Sequence, residues 1–165
     1  MGIQRLKAAG LFSLAVVLLV FCGCTGREPL LAVEDVLPPG YREAGVPRDI
    51  VDEMLLTAED DIGWIRCIDC GMDWQELNRH INTAVRAHGY SDTTDRWLPV
   101  MMSDGDLDED LARQLFKVYS SSSGYGHIFV MNLIYIKTTY NASVGTGGDF
   151  LITVGYDHLD RYKTD

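Results

Sequence analysis

The clearest hydrophobic pattern in the chain lies between Asp73 and Gly89, where apolar residues recur every three or four positions. This spacing is typical of an amphipathic helix with one buried face. Asp73 as the N-cap and Glu76 three residues later form a capping-box pattern, and Gly89 is a typical stop signal. The positions on the predicted buried face are Trp74, Leu77, Ile81, Ala84, Val85 and His88.

Strand-like patterns lie on both sides of this helix. A run from Gly63 to Ile68 is rich in strand-forming residues, and a second run, from Trp97 to Met102, contains Pro99, which suits an edge strand. The run from His127 to Tyr140 is apolar on both alternating faces, which predicts a strand in the middle of a sheet. Residues Phe150 to Tyr156 alternate as well, and we expect them to pair antiparallel with that strand.

Two further helices complete the predicted elements. Val46 and Pro47 suit the start of a short helix. The acidic stretch from Asp104 to Asp110 suits the N-terminus of another helix, which would run to about Tyr119, and Ser120 to Gly126 would form a flexible turn. Together the patterns predict an α+β fold, with a mixed sheet of about four strands, three helices and a C-terminal antiparallel hairpin.

A different pattern opens the chain. The basic residues Arg5 and Lys7 precede a largely apolar run from Leu11 to Phe21, an order that is typical of an export signal. The run has 11 residues, whereas a transmembrane helix needs about 20. The favoured interpretation is therefore a cleaved signal, and an uncleaved membrane anchor is an alternative.

The motif Phe21-Cys22-Gly23-Cys24 resembles the lipobox of bacterial lipoproteins. This resemblance implies that residues 1–23 are removed as a signal peptide and that Cys24 becomes an N-terminus carrying diacylglycerol and acyl chains such as palmitate. A plain secretory signal is the remaining alternative. Thr25, rather than aspartate, follows Cys24, which by analogy with Gram-negative lipoproteins implies sorting to the outer membrane, facing the periplasm.

The remaining chain divides into a linker and one domain. Residues 24–40 contain Pro29, Pro38, Pro39 and Gly40 with little apolar periodicity, which predicts a lipidated cysteine followed by an extended tether. Such a tether would hold the domain on the order of tens of Å from the bilayer. Residues 41–165 are long enough to form a single α+β globular domain with its own core.

The charge balance restricts the partners. The 14 basic and 24 acidic residues give a net charge of −10, which the loss of Arg5 and Lys7 with the signal lowers to −12. A surface of this sign is repelled by nucleic-acid phosphates and by anionic lipid headgroups. We therefore expect no nucleic-acid partner, and attachment to membrane lipid through Cys24 alone.

Cys67 and Cys70 are the cysteines that remain if Cys22 leaves with the signal and Cys24 carries lipid. In an oxidising compartment such a pair favours a structural disulfide, which is the leading interpretation. The pair also lies between a predicted strand and a predicted helix, an order similar to that of the thioredoxin family. That resemblance implies the alternative of a membrane-tethered thiol-disulfide oxidoreductase, with Cys67 attacking and Cys70 resolving.

Metal-binding patterns are weak. His80 and His88 are eight positions apart, which is not the short interval of common zinc sites, and on one helix they would point about 80° apart. An acidic run could offer oxygen ligands to calcium, but it lacks the glycine and the glutamate that an EF-hand-like loop needs at its sixth and twelfth positions. We therefore predict no metal site and no cofactor. The acidic run consists of Asp104, Asp106, Asp108 and Asp110.

Hydrolytic chemistry has no specific signal either. The tract Ser120 to Ser123 lies near His127 in sequence but has no GxSxG elbow. The sequence therefore predicts a lipid-anchored cell-envelope protein that acts as a non-enzymatic binding or assembly module for another envelope protein. The expected contact element is a long hairpin from His127 to Tyr156, because the 14 residues of its first strand, at ~3.3 Å each, would extend beyond an ordinary sheet.

Overall fold

The computed structural model describes residues 29–46, 62–101, 108–140 and 148–156. Among these residues the helices are α1 (Val33–Val36), α2 (Trp74–Arg86), α3 (Thr94–Met101), α4 (Glu109–Leu115) and α5 (Leu133–Tyr140). The strands are β1 (Arg42–Ala44), β2 (Ile62–Asp69), β3 (Tyr90–Asp92), β4 (Phe116–Ser121), β5 (Gly126–Asn132) and β6 (Phe150–Tyr156). Within the described ranges, every helix is too short or too polar to cross a bilayer.

The six strands form one sheet in the order β1-β2-β6-β5-β4-β3. Every neighbouring pair is antiparallel. The α+β class is therefore confirmed, whereas the mixed sheet of about four strands with three helices is corrected to an antiparallel sheet of six strands with five helices in the described part of the chain. Three of these strands were not predicted. Strands β1 and β3 are three-residue edge strands that are too short to show an alternating pattern, and β4 lies where the sequence predicted the end of a helix.

The predicted helix after Asp73 is confirmed as α2. The Asp73 carboxylate accepts a hydrogen bond from the Glu76 amide at 2.8 Å, and the Glu76 carboxylate accepts one from the Asp73 amide at 3.1 Å. These two bonds satisfy amides at the helix start that have no partner within the helix. Leu77, Ile81 and Val85 are fully buried against the sheet. The inner side of α2 is thereby fixed.

The two faces of the sheet carry separate hydrophobic clusters. The first face is covered by α2 and by the N-terminal segment, and the second face packs against α5 and α3. Successive strand residues alternate between the faces. The sheet residues of the first face are Ile68, Tyr90, Tyr119, Ile128, Val130, Phe150, Ile152 and Val154. Those of the second face are Ile65, Cys67, Phe116, Phe129, Met131 and Leu151.

The apolar run from His127 to Tyr140 is not one long strand. Strand β5 ends at Asn132, whose side-chain oxygen accepts a hydrogen bond from the Tyr135 amide at 3.2 Å, and the chain continues as α5. The Leu133 amide bonds the Asp149 carbonyl at 2.9 Å, so the chain turns out of the sheet there. The antiparallel pairing of β5 with β6 is confirmed, but the two strands are not joined by a simple hairpin because α5 lies between them in the chain.

The strand predicted from Trp97 to Met102 is a helix instead. Asp92 accepts hydrogen bonds from the amide and the hydroxyl of Thr94, at 2.9 and 2.6 Å, and these bonds stabilise the first turn of α3. Trp97 is buried on the side of α3 that packs on the sheet, and Pro99 is exposed. Apolar residues on one side of a short helix produced the strand-like run.

The helix predicted to run to Tyr119 is shorter. It is α4, which ends at Leu115, and β4 follows without a linker. Val118 and Tyr119 are buried on opposite faces of the sheet, which a strand between β3 and β5 allows and a helix does not. The helix predicted to begin at Val46 and Pro47 lies, from Pro47 onward, outside the described ranges.

The predicted tether up to Gly40 differs most from the structure. From Leu30 onward the described chain packs on the first face, and Leu31, Val36 and Leu37 belong to its core. The Trp64 indole donates a hydrogen bond of 2.7 Å to the Leu31 carbonyl. The segment from Leu30 to Leu37 therefore belongs to the folded domain, because burial of its apolar side chains stabilises it there.

The sheet has two ends, the hairpin end and the cysteine end. The hairpin end is where β2 and β5 begin and where β4 and β6 end, so the β4–β5 turn lies there, and Ile62 pairs with Gly155. The cysteine end is the opposite one, where β2 finishes at Asp69 and Cys70 follows.

Candidate functional site

A polar cluster lies on the second face near the hairpin end. Ser120 and His127 are paired across β4 and β5, and the Ser120 hydroxyl oxygen is 2.9 Å from His127 Nδ1. The other ring nitrogen, Nε2, is 3.1 Å from the Gly124 carbonyl. Thr93 and Trp97 approach the same hydroxyl oxygen, at 2.6 and 3.4 Å.

The acceptor at Gly124 sets the direction of these hydrogen bonds. A carbonyl only accepts, so His127 Nε2 carries a proton, and in a neutral ring Nδ1 accepts from the Ser120 hydroxyl. Ser120 then accepts from the Thr93 hydroxyl and from the Trp97 indole. The Ser120 oxygen therefore donates once and accepts twice, which uses its full hydrogen-bonding capacity.

This saturation decides what the cluster can do. A serine beside a histidine is the arrangement of a nucleophile and its base. However, Ser120 is only 4% exposed, and its two acceptor positions are occupied by Thr93 and Trp97. The cluster joins β4, β5, α3 and Thr93, the residue between β3 and α3, and its geometry supports a structural role.

The structure places Cys67 and Cys70 on opposite faces of the sheet. Cys67 is 1% exposed and packs in the second-face cluster, whereas Cys70 packs against the first-face cluster. Side chains three positions apart along an extended chain point in opposite directions. No disulfide joins them, and forming one would require a backbone rearrangement. The structure therefore does not support the predicted Cys67–Cys70 bridge.

The electrostatics of Cys70 differ from those of a redox-active thiol. Burial, followed by the charges of Asp69 and Asp149, raises the pKa of Cys70, and a hydrogen bond from the Met72 amide only partly offsets this. Arg42 hydrogen-bonds Asp69 and holds the pKa of that carboxyl below its usual value, which keeps the negative charge beside the thiol. A raised pKa lowers the fraction of nucleophilic thiolate.

The other candidate ligands do not converge. His80 lies on the outer side of α2, and His88 lies 3.8 Å from Asp35, beyond the C-terminus of that helix. Asp108 caps α4 by accepting from the Leu111 amide at 2.7 Å. Within the described ranges, no group of three or more His, Cys, Asp or Glu residues is arranged to hold a metal ion. The predicted positions Asp104 and Asp106 lie outside those ranges, as does Cys24.

A shallow groove runs along the outer side of α2. It has a volume of about 450 Å³ and is largely open to solvent. Its lining combines an apolar thioether, charges of both signs and hydrogen-bonding groups. The lining residues are Met72, Glu76, Arg79, His80 and Thr83.

The β4–β5 turn presents the most exposed large apolar side chain among the described residues, Tyr125, which is 64% exposed. The turn itself is ordered by hydrogen bonds. The Ser121 hydroxyl accepts from the Gly126 amide at 3.0 Å, and the Ser123 hydroxyl accepts from the Tyr125 amide at 3.3 Å. The predicted flexible turn is therefore a short hydrogen-bonded turn that projects one aromatic ring.

Several of these features were missed from the sequence. The Ser120 cluster includes Thr93 and Trp97, which are distant from His127 in sequence and share no local pattern with it. Tyr125 lies in a run of serine and glycine that indicates only a turn. The groove residues do follow a local signal, since they occupy the polar side of the predicted helix.

In comparisons with known proteins, no protein-family model, curated protein or solved structure matches the chain.

Proposed function

We propose that the protein is a lipid-anchored cell-envelope protein that acts as a non-enzymatic binding or assembly module, and that the groove on α2 binds its partner. The observation that supports this proposal is the groove itself, a concave surface of about 450 Å³ on the outer side of α2. The inner side of the same helix is buried in the first-face core. A rigid helix presents its outer side chains in one arrangement, which limits the entropy lost on binding.

The candidate chemistry in the described ranges supports a binding role over catalysis. Ser120 and His127 are engaged in the second-face network, and Cys67 is buried in the core. Cys70 has a raised pKa, and no observation favours the thiol-disulfide oxidoreductase alternative. The groove, in contrast, exposes Arg79 and Thr83 to solvent.

The lining of the groove defines the kind of partner. Met72 is half-buried and offers an adaptable apolar contact. The Thr83 hydroxyl already donates to the Arg79 carbonyl, so Arg79 and His80 remain the donors that a ligand would meet. The proposed occupant is a short segment of another envelope protein that supplies one apolar side chain and hydrogen-bond acceptors for Arg79.

The groove is tested by photo-crosslinking in living cells. A benzoylphenylalanine in place of Thr83 should give one discrete protein adduct, and Arg79→Glu in the same chain should reduce its yield at least tenfold. Arg86→Glu is the matched control, because Arg86 is exposed on the same helix outside the groove. The same adduct from a probe at Gln114, on α4, would contradict the groove as the binding site.

The lipid anchor is tested separately. Protein isolated from membranes should have Cys24 as its N-terminal residue, with the mass of a diacylglyceryl group and acyl chains. Cys24→Ser should leave the protein without lipid. Once the signal has also been cleaved, this variant should no longer be found in the membrane fraction. An unmodified N-terminus in membrane-derived protein would refute the anchor. In a Gram-negative cell, the proposal places the protein on the outer membrane, facing the periplasm.

A further inference from the structure

The first described residues lie at one end of the sheet. Leu30 packs so closely on Gly63 that a β-carbon at Gly63 would lie 2.2 Å from Leu30 Cδ1. The Leu31 carbonyl accepts the hydrogen bond from Trp64. Gly63 and Trp64 are at the beginning of β2, and Leu30 and Leu31 therefore lie at the hairpin end of the sheet.

The linker between the lipid on Cys24 and Leu30, called the leash, is short. The residues between Cys24 and Leu30 are Thr25 to Pro29, so the two Cα atoms are six residue steps apart. Fully extended, six steps span at most about 22 Å. This is far less than the reach of a tether that continues to Gly40.

The leash is also short relative to the domain. Strand β2, with its eight residues, spans roughly 26 Å from the hairpin end to the cysteine end. A domain of this length of chain has a radius of gyration of about 14 Å, which corresponds to a diameter of roughly 35 Å. A leash attached at the hairpin end cannot pass around the domain and bring the cysteine end to the membrane.

The hairpin end has a surface that suits a lipid headgroup layer. Residues 121–126, the β4–β5 turn, are Ser-Ser-Ser-Gly-Tyr-Gly and carry no charge. Tyr125 projects from this turn and is largely exposed. A tyrosine combines an apolar ring with a polar hydroxyl, and such side chains are enriched at membrane–water interfaces.

We propose that the leash holds the hairpin end against the bilayer and that the turn carrying Tyr125 contacts the phospholipid headgroups. The partner is a zwitterionic lipid surface, since a mature charge of −12, derived from the −10 of the whole chain, disfavours anionic headgroups. This inference rests on the proposed lipid anchor at Cys24. It also directs the cysteine end, where α2 and its groove begin, away from the membrane.

Site-specific crosslinking to lipid tests this orientation. Lipidated full-length protein is reconstituted into phosphatidylethanolamine–phosphatidylcholine vesicles, with benzoylphenylalanine in place of Tyr125 or, in a second variant, Ser122. The control probe replaces Gln75, which is exposed in the first turn of α2 at the cysteine end. We expect at least tenfold more lipid adduct from either turn position than from Gln75.

A longer leash provides the second arm. Inserting 20 glycine and serine residues between Gly26 and Arg27 gives a flexible linker that can reach around the domain, with a root-mean-square length of roughly 25–30 Å. The adduct ratio between Tyr125 and Gln75 should then fall to within about twofold. A ratio that stays near tenfold would overturn the leash as the cause of the orientation.

The outcomes separate this inference from the proposed function. Equal adducts from Tyr125 and Gln75 in lipidated, vesicle-bound protein would overturn the orientation and leave the anchor standing. Absence of lipid on Cys24 by mass spectrometry would overturn both. Loss of the groove-dependent protein adduct in cells, with the lipid adducts unchanged, would overturn the groove alone.

Discussion

The two faces of the sheet are stabilised by different interactions, apolar burial on the first face and a combination of apolar burial and side-chain hydrogen bonds on the second. The first face buries apolar side chains from α2, the N-terminal segment and five strands in one continuous cluster. The second face has a smaller apolar cluster, and near its hairpin end a hydrogen-bonded group centred on Ser120 takes the place of apolar contacts. Burial is non-directional, whereas hydrogen bonds require particular partners at particular positions.

This difference assigns separate tasks to the faces. The first face should supply most of the free energy of folding, because that term scales with apolar area removed from water. The second-face network should contribute less free energy but fix how β3, β4 and α3 fit together. Four comparisons of variants test this division, and all are measured on the chain from Thr25 onward, without signal or lipid, by urea denaturation.

The largest effect is expected from Val36→Asp. Val36 is fully buried in the first-face cluster, so the substitution buries an unpaired carboxylate and should cost about 4 kcal/mol. Glu34→Gln is the control, since Glu34 is exposed on the same short helix, and it should cost less than about 0.5 kcal/mol. Equal stability of the Val36→Asp variant and the unaltered chain would mean that this segment is a tether after all.

The second effect compares neighbours on one strand. Ile128 is fully buried on the first face, whereas Phe129 is half-buried on the second face, 5.3 Å from the Phe116 ring. Ile128→Ala should cost about 3 kcal/mol and Phe129→Ala about 2 kcal/mol, although the second removes the larger side chain. The reverse order would show that the second face carries as much of the core as the first.

The fold was predictable where the signal was local. Asp73 and Glu76 contain the whole capping box, so α2 could be placed from the sequence. The run after His127 is apolar throughout, and its change from strand to helix at Asn132 depends on a bond between Leu133 and Asp149, 16 positions apart in sequence. Periodicity cannot place such a boundary, because the deciding partner is distant.

The candidate site divides in the same way. The polar side of α2 could be predicted from its helical spacing, but the contacts of Ser120 join three separate elements, β4, β5 and α3, and the residue before α3. The arrangement of Cys67 and Cys70 did have a local signal. If β2 extends through Ile68, residues three positions apart point to opposite faces, which argues against a disulfide.

The third effect tests the polar network directly. Ser120→Ala removes the hydroxyl that bonds His127 and leaves the Thr93 and Trp97 donors without that acceptor, so it should cost about 2 kcal/mol. Tyr119→Phe is its first-face counterpart and removes one hydrogen bond, of 3.1 Å to the Asn78 carbonyl, at a cost of about 1 kcal/mol. A Ser120→Ala variant as stable as the unaltered chain would show that the second-face network does not stabilise the fold.

The smallest effect is a pH dependence at the β3–β4 edge, at the rim of the first face. Burial raises the pKa of Asp92, but hydrogen bonds from Thr94 and Lys117 outweigh this and lower it below the ordinary value of 3.8. Because the folded-state pKa is the lower one, this stabilisation is present above about pH 4 and is lost as the pH falls further. Solvent screening at this exposed edge limits the contribution of Asp92 to the free energy of unfolding to well under about 1 kcal/mol.

Asp92→Asn should therefore flatten the acid limb of the stability curve below about pH 4, relative to the unaltered chain. Lys117→Met tests the same interaction from the other side, since the Lys117 ammonium lies 3.1 Å from the Asp92 carboxylate. If the two changes act on one ion pair, the free energy of unfolding should fall less in the double variant than the sum of its decreases in the two single variants. Strictly additive losses would instead assign the lowered pKa to the Thr94 hydrogen bonds, and the edge would then depend on the start of α3 rather than on its surface charge.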